Sequence, residues 1–188
     1  MTKNFLISTN HQKVLSFLAK LSDKEFHERE IARKIGISYG SANRVLHDLH
    51  SNGYLIRRQA GKMLFYTFNS LEPSHKSLKI FSTIALLRPL VCELIKVSYN
   101  IILYGSCAEG TETSESDIDL FIVTSQKSKI LQIILNFSLG QGFEEIKIQP
   151  VIYSPVELMK HEKTDAEFLS LVRGGIVLWE KPPDESGI

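Results

Sequence analysis

Two aspartates, Asp117 and Asp119, open an apolar run that continues to Val123. Side chains two residues apart on a β-strand point to the same face, so we expect both carboxylates to project side by side. Neighbouring carboxylates repel each other, and at the start of a buried strand the arrangement is costly unless a cation lies between them. Mg²⁺ in proteins takes oxygen ligands of this kind. The pattern therefore predicts a divalent-metal site at Asp117 and Asp119.

A second feature lies ten residues upstream of this pair. The β-branched run Ile101–Tyr104 predicts a strand, and Gly105-Ser106 follows it at once. Glycine permits close backbone approach at the end of a strand. The serine hydroxyl and nearby N–H groups can contact phosphate. The polar segment 110–116 between the two features is expected to be exposed. Without the Gly-Ser turn, Asp-x-Asp would be typical of an ordinary acidic strand edge.

The sequence LYGSCAEGTETSESDIDLFIV, residues 103–123, resembles the DNA polymerase β-like nucleotidyltransferase superfamily, in particular its minimal branch. The family signature is a hydrophobic strand, Gly-Ser, ten residues, and Asp-x-Asp opening a second strand. All parts occur here with that spacing, and the resemblance spans about residues 75–180. It implies an α+β fold, with a polymerase β-like mixed sheet flanked by helices.

The resemblance implies nucleotide transfer from an NTP, with ATP the expected nucleotide and Mg²⁺ (or Mn²⁺) as cofactor. Asp117 and Asp119 would be the catalytic and metal-binding residues, and Gly105 and Ser106 the nucleotide-binding residues. An Arg commonly follows Gly-Ser in the family, and this sequence has Cys107-Ala108 instead. The acceptor hydroxyl is unidentified. Members of the minimal branch are often linked to toxin–antitoxin pairs, so a toxin protein is one acceptor that the resemblance suggests.

Active members of the family carry a third acidic residue on a later strand. After a predicted helix at 127–140, the next predicted strand covers 144–153, and Gln149 occupies the third position or lies close to it. An amide can orient a nucleophile through hydrogen bonds, but it cannot take up a proton at neutral pH. Glu144 or Glu145, at the start of the strand, is the alternative.

The first 70 residues have a different pattern, with three helical periodicities followed by a hairpin. The predicted helices and strands are His11–Leu21 with Asn10 as cap, His27–Ile35, Tyr39–Ser51, Tyr54–Arg58 and Met63–Phe68. Residues 30–58, EIARKIGISYGSANRVLHDLHSNGYLIRR, resemble winged helix-turn-helix transcription regulators. The resemblance implies a recognition helix that enters the major groove of DNA.

Charge supports a polyanion partner for this module. Residues 1–70 contain 11 Lys and Arg against 5 Asp and Glu, whereas the remainder is net acidic. We expect double-stranded DNA to be bound by Tyr39, Ser41, Asn43, Arg44, Arg57, Arg58 and Lys62. Each of these could instead be a solvated surface residue, and winged modules also serve in protein–protein contacts. A homodimer is expected because such modules usually bind paired half-sites.

The predicted domains are a winged helix-turn-helix at 1–70, connecting helices at 71–98, a nucleotidyltransferase domain at 99–181 and a flexible tail at 182–188. Pro89 is expected to end or kink the helical segment 75–97, which gives two helices. No apolar run approaches the ~20 residues of a membrane span, and residues 1–10 show no signal-peptide pattern. We therefore expect a cytoplasmic protein in which Cys92 and Cys107 stay unpaired.

Two functions are compatible with these features. The first is a Mg²⁺-dependent nucleotidyltransferase coupled to a DNA-binding module. The alternative is a DNA-binding transcription regulator whose transferase domain is degenerate and serves as a nucleotide sensor or a structural body. The missing Arg and the missing third carboxylate favour the alternative, and the spacing of the Gly-Ser and Asp-x-Asp motifs favours the first.

Overall fold

The computed structural model describes residues 6–162 and 164–182. The chain forms two compact units, and neither is one continuous stretch. The N-terminal unit comprises residues 1–86, 110–116 and 139–146, and the C-terminal unit comprises 87–109, 117–138 and 147–188. Residues 183–188 of the predicted tail lie outside the described residues.

The N-terminal unit has the element order of a winged helix-turn-helix. Its elements are α1 (Asn10–Lys20), β1 (Phe26–His27), α2 (Glu28–Ile35), α3 (Tyr39–Ser51), β2 (Leu55–Ala60) and β3 (Met63–Phe68). The three strands form an antiparallel sheet in the order β1-β3-β2. Gly36 ends α2 in the left-handed conformation, with φ of 67°. Ser38 caps α3 by accepting a hydrogen bond from the Ser41 N–H. The predicted bounds of α3 are confirmed.

Two local features differ from the prediction. Thr9, rather than Asn10, caps α1, because the Thr9 side chain and Gln12 complete a reciprocal capping box and make Asn10 the first helical residue. Strand β1 was not predicted, since a two-residue strand carries no periodicity of its own. It becomes a strand by pairing with β3, where Phe26 lies opposite Tyr66.

The core of the N-terminal unit draws on all of its elements. Its buried members include Val14, Phe17, Leu18, Phe26, Ile31, Leu46, Leu49, Leu55, Tyr66, Phe68 and Phe143. Burial of each large apolar side chain stabilises the fold by roughly 1.5–3 kcal/mol relative to exposure. Phe143 comes from the segment 139–146, so this core is completed by residues distant in sequence.

Helix α4 (His75–Leu94) is continuous through Pro89. The prediction of two helices is therefore wrong. Proline removes one N–H donor from a helix, but buried Leu87, Leu90 and Leu94 anchor the helix before and after the proline. Apolar burial on both sides offsets the lost hydrogen bond.

The C-terminal unit is built on a four-stranded mixed sheet in the order β6-β5-β4-β7. Its elements are β4 (Asn100–Tyr104), α5 (Ser106–Glu109), β5 (Ile118–Val123), α6 (Lys127–Leu135), β6 (Ile148–Tyr153), α7 (Pro155–His161), α8 (Ala166–Arg173) and β7 (Ile176–Glu180). Strands β5 and β6 are parallel, and the other pairs are antiparallel. A mixed sheet with helices confirms the predicted α+β class.

Helix α6 and strand β6 are shorter than predicted. The helix ends at Leu135 rather than Gly140, and the strand begins at Ile148 rather than Glu144. The residues between them, 139–146, pack in the N-terminal unit, which takes them out of both elements. Cys92 and Cys107 are not joined by a disulfide. Within the described residues, no helix is long and apolar enough to cross a membrane.

Candidate functional site

The turn after β4 brings the backbone against a carboxylate. Gly105 has a left-handed φ of 69°, and a Cβ at this position would lie 2.7 Å from Asp119 Oδ2. Tyr104, just before the turn, pairs with Asp119 in the antiparallel register of β4 and β5. Glycine is therefore required here both by backbone conformation and by the close approach of the carboxylate. Ser106 begins α5 directly after the turn.

The two aspartates lie at the start of β5. Asp117 immediately precedes the strand and Asp119 is its second residue. The intervening Ile118 and the following Leu120 are fully buried, whereas both aspartates are half-buried. This alternation places the carboxylates on the face opposite Ile118 and Leu120, as expected from the strand period.

Electrostatics shows that negative charge is concentrated at this point. Burial raises the pKa of Asp119, and the neighbouring charge of Asp117 raises it further. Burial also raises the pKa of Tyr104, with a contribution from the Asp119 charge. Neither aspartate takes part in an ion pair with a Lys, Arg or His of the described residues. Two oxygen-ligand groups that lack a compensating cation fit a hard divalent ion.

Gln149 lies beside this pair, at the position predicted for it. In the parallel register of β5 and β6, Gln149 is the partner of Asp119. Its Nε2 donates a hydrogen bond of 2.5 Å to Asp117 Oδ2. Across the described part of the chain, no group of three or more His, Cys, Asp or Glu side chains is arranged to hold a metal. The carboxylates at the site are thus a pair, with an amide in the third place.

Glu144 and Glu145, the alternative carboxylates, precede β6 in the segment 139–146 of the N-terminal unit. Glu144 Oε1 accepts a hydrogen bond of 2.9 Å from the Gly142 N–H. This backbone hydrogen bond lowers the pKa of Glu144. Both glutamates are exposed. The Glu144 carboxylate is engaged within its own turn by the Gly142 N–H.

The prediction that segment 110–116 is exposed is wrong for two of its residues. Gly110 is buried, and Glu112 retains only 2% of its accessible surface. Glu112 Oε1 lies 3.0 Å from Lys20 Nζ. A lysine buried on α1 requires a counter-charge, and a polar segment far along the chain supplies it. Sequence patterns carried no signal for this pairing.

An apolar cavity of about 590 Å³ also lies in the C-terminal unit. Its lining includes Ile102, Phe121 and Val123 from the sheet, and Leu169 and Val172 from α8. Phe121 and Val123 occupy alternate positions of β5 after Asp119, so the cavity opens on the sheet face that carries the aspartates. The sequence could not indicate it, because its shape depends on where α8 packs.

The predicted DNA-contacting residues of α3 differ in their surroundings. Tyr39, Asn43 and Arg44 are exposed, and Ser41 is half-buried. Tyr39 Oη donates to Glu28 Oε2 at 2.9 Å, and Asn43 Nδ2 donates to Glu28 Oε1 at 3.2 Å. The buried Glu28 therefore engages two of the predicted contacts within the protein.

The wing residues Arg57, Arg58 and Lys62 are all exposed. Arg58 is already engaged, because its Nε donates to Glu25 Oε1 at 2.8 Å and its guanidinium lies 5.0 Å from the Phe65 ring centre. Arg44 and Lys62 form no ion pair with any described residue. Arg57 likewise forms no ion pair with a described residue, so three of the predicted DNA-contacting cations are exposed and not engaged by a carboxylate.

Comparison with known proteins finds a family model that matches part of the chain. Residues 84–173 match the model of the nucleotidyltransferase domain family. A search of curated protein sequences gave no significant match.

Three solved structures match parts of this chain. NolR from Sinorhizobium fredii is 23% identical, with 43% of this chain and 80% of that chain covered and a TM-score of 0.34. Reduced HlyU from Vibrio cholerae is 25% identical, covers 43% and 77%, and has a TM-score of 0.31. A "putative nucleotidyltransferase from Sulfolobus solfataricus" is 16% identical, covers 56% and 87%, and has a TM-score of 0.35.

The family match includes the Gly105-Ser106 turn, both aspartates and Gln149. The match agrees with the motif spacing in the sequence. The chain therefore matches the nucleotidyltransferase domain model over residues 84–173, and residues 10–68 have the element order of a winged helix-turn-helix.

Proposed function

We propose that the C-terminal unit transfers a nucleoside monophosphate from an NTP, with ATP the expected nucleotide, to a hydroxyl acceptor. The acceptor oxygen bonds to the α-phosphorus, the bond from that phosphorus to the β-phosphate oxygen breaks, and pyrophosphate leaves. The proposal rests on the position of Asp117 and Asp119, which lie close together beside the left-handed turn at Gly105. The acceptor classes that this chemistry covers are a protein, such as a toxin, a small molecule and RNA.

Asp117 and Asp119 would hold Mg²⁺ (or Mn²⁺), and the ion would neutralise charge on the phosphates during transfer. The Gly105 turn exposes backbone next to the carboxylates, and the Ser106 hydroxyl offers a hydrogen bond to a phosphate oxygen. Gln149 fixes the orientation of the Asp117 carboxylate through its hydrogen bond. These three contributions bind and orient the nucleotide.

The amide of Gln149 cannot accept the proton of an attacking hydroxyl. General-base catalysis contributes roughly 10²–10⁴-fold to the rate of such steps. We therefore expect slow turnover, in which the acceptor proton leaves to solvent, unless the acceptor itself carries a base.

For the N-terminal unit we propose binding of double-stranded DNA by a homodimer. Arg44 on α3 would contact a base edge or phosphate, with Tyr39, Ser41 and Asn43 around it on the same helix. Arg57, Arg58 and Lys62 of the wing would contact phosphates. The exposure of Arg44 and Lys62 supports this assignment.

The transferase proposal is tested by incubating the full chain with Mg²⁺, labelled ATP and cell extract. We expect a labelled product that is lost in Asp117→Asn and in Asp119→Asn. Glu167→Gln is the matched control, because it removes an exposed carboxylate of α8 outside the pair. Product formation that survives both aspartate substitutions would refute the assignment.

A second candidate function is favoured by the amide at position 149. In this case the C-terminal unit binds a nucleotide without transferring it, and DNA binding responds to the nucleotide. The same incubation would give no labelled product. Binding of a selected DNA duplex would change on addition of ATP and Mg²⁺, and the change would disappear in Asp119→Asn.

A further inference from the structure

The segment 110–116 connects helix α5, which follows the Gly105 turn, to Asp117. Along this segment, buried or half-buried residues alternate with exposed ones. Gly110 and Glu112 are buried and Ser114 is half-buried, while Thr111, Thr113 and Glu115 are exposed. By its packing the whole segment belongs to the N-terminal unit. The chain therefore leaves the nucleotidyltransferase sheet between its two motifs, packs on the winged-helix unit and returns at Asp117.

Glu112 is the centre of a buried ionic cluster. Its Oε1 lies 3.0 Å and its Oε2 3.9 Å from the ammonium groups of Lys20 and Lys79, respectively. Lys79 also donates to the main-chain carbonyl of Glu112, and Lys20 donates to Thr83 Oγ1 at 2.9 Å. One carboxylate thus satisfies two buried cations from α1 and α4. Removal of its charge would take away the carboxylate that both buried ammonium groups face, which is strongly unfavourable in a buried site.

Two further contacts fix the ends of the segment. A Cβ on Gly110, which has a φ of 68°, would lie 2.6 Å from the Lys76 carbonyl oxygen, so the chain passes directly against the start of α4. Asp23 accepts hydrogen bonds from the Ser114 N–H at 2.9 Å and from the Ser114 hydroxyl at 2.7 Å. Ser116 then closes a turn by accepting from the Thr113 N–H at 3.0 Å.

The segment 139–146, which leads into β6, is held in the same unit. Gln141 Nε2 donates to the Arg33 carbonyl at 2.6 Å. A Cβ on Gly142 would lie 2.9 Å from the Lys34 carbonyl oxygen. The ring of Phe143 lies 5.8 Å from that of Phe17 in the core.

Strands β5 and β6 are parallel, so their first residues lie at the same edge of the sheet. Asp117 immediately precedes one strand, and Gln149 is the second residue of the other. We infer that Glu112 is a positioning residue of the transferase site, through which the winged-helix unit fixes the path of the chain into Asp117. This inference rests on the proposed function, in which Asp117 and Asp119 bind the metal and the nucleotide.

The experiment compares the full-length wild type with Glu112→Gln, which preserves side-chain shape and removes the charge. Two quantities are measured well below the melting temperature: amide hydrogen exchange of residues 105–119, and the affinity for a non-hydrolysable ATP analogue with Mg²⁺. We expect faster exchange throughout 105–119 and an affinity weakened about ten- to hundredfold, because binding must then order the chain before Asp117, and ordering a few side chains or a loop costs this much.

Glu25→Gln is the matched control. It also removes a glutamate that pairs with a basic residue in the N-terminal unit, but its pair with Arg58 is exposed and lies outside both segments. We expect neither quantity to change in this variant. Ser114→Ala is a milder second variant in case Glu112→Gln does not fold, and it should raise exchange in the same peptide to a smaller extent.

The outcomes separate the two proposals. Unchanged exchange of 105–119 in a folded Glu112→Gln protein, or faster exchange with unchanged analogue affinity, would overturn the positioning role. If the wild type itself does not bind the analogue, the proposed function fails. Exchange would then decide alone whether Glu112 fixes the segment: faster exchange supports that role, and unchanged exchange rejects it.

Discussion

The side-chain amide of Gln149 donates a hydrogen bond to the carboxylate of Asp117 across two parallel strands, at 2.5 Å. An amide donor in this place satisfies an oxygen that would otherwise face a second negative charge. The hydrogen bond between Gln149 and Asp117 thus helps to accommodate two neighbouring aspartates. A carboxylate at position 149 would remove this donor and add a third negative charge.

Gln149→Glu should convert the amide to a third carboxylate. In the presence of a chelator we expect a lower melting temperature, because three acidic groups repel and the hydrogen bond is lost. Addition of Mg²⁺ should raise the melting temperature of the variant by more than that of the wild type, because a third carboxylate adds an oxygen ligand. Ligand at a hundred times its dissociation constant stabilises a protein by about 2.7 kcal/mol. Thermal denaturation with and without Mg²⁺ measures both effects.

Gln132→Glu is the control for this substitution. Gln132 is exposed on α6, and the same chemical change there should leave the Mg²⁺ response as in wild type. An equal Mg²⁺ response in Gln149→Glu and wild type would contradict a metal site at these residues.

Asp119→Asn should stabilise the protein at neutral pH when no divalent ion is present. The pKa of Asp119 is raised in the fold, first by burial and then by the Asp117 charge. An acid with a raised folded-state pKa opposes folding above its unfolded-state pKa, and this cost disappears as the carboxyl is protonated. The stability advantage of the Asp119→Asn variant over the wild type should therefore be present at neutral pH and shrink as the pH falls below the folded-state pKa.

Melting temperatures of both proteins in chelator, from neutral to acidic pH, test this expectation. Glu145→Gln, which removes an exposed carboxylate, should show no such gain. If the wild type were more stable than Asp119→Asn at neutral pH in chelator, the prediction would be contradicted.

Gly105→Ala should damage the site as well as the fold. A left-handed backbone costs a non-glycine residue about 1–2 kcal/mol, and here the new Cβ would also press on Asp119 Oδ2. Gly53→Ala is a matched control, because Gly53 has a φ of 81° with open space around its Cβ position.

Urea unfolding and binding of an ATP analogue with Mg²⁺ separate the two costs. We expect Gly53→Ala to lose about 1–2 kcal/mol of unfolding free energy and keep its nucleotide affinity. Gly105→Ala should lose more stability and lose nucleotide affinity. If both variants lost the same unfolding free energy and kept the same nucleotide affinity, the proposed steric conflict at Gly105 would be wrong.

Arg44→Ala should weaken binding of a DNA duplex selected from a random pool by about 1–3 kcal/mol, if Arg44 contacts a base edge. A contact to phosphate would instead reduce affinity for all duplexes and lower the salt dependence. Lys96→Ala removes an exposed cation of the C-terminal unit and serves as the control. Titration at two salt concentrations distinguishes these results, and unchanged binding would exclude Arg44 from the interface.

Local sequence features predicted much of the fold. The turn at Gly36 and the cap at Ser38 set the start of α3, and its apolar stripe set its length, so the prediction of Tyr39–Ser51 is confirmed. The alternation at Asp117–Leu120 likewise follows from the strand period alone. The pairing of Gln149 with Asp119 is not local, and no sequence pattern predicted it. The family resemblance only placed Gln149 at or near the position of a third acidic residue.

Other features depend on contacts that no short pattern encodes. Lys20 and Glu112 are separated by 92 positions, and a polar segment rich in Thr, Ser and Glu is normally exposed. Phe143 follows two glycines in a stretch without periodicity, yet it joins the core beside Phe17. Partners of this kind become visible only when the tertiary structure brings the segments together.

The interleaving of the two units also bears on synthesis at the ribosome. Domains commonly fold as they emerge, with the N-terminal one first. Here Lys20 lacks its carboxylate partner until Glu112 has been made, and the core of the N-terminal unit lacks Phe143 until the segment 139–146 has been made. The nascent N-terminal unit therefore stays incomplete until the segment 139–146 has been made, and the two units are expected to reach the native state in one concerted step.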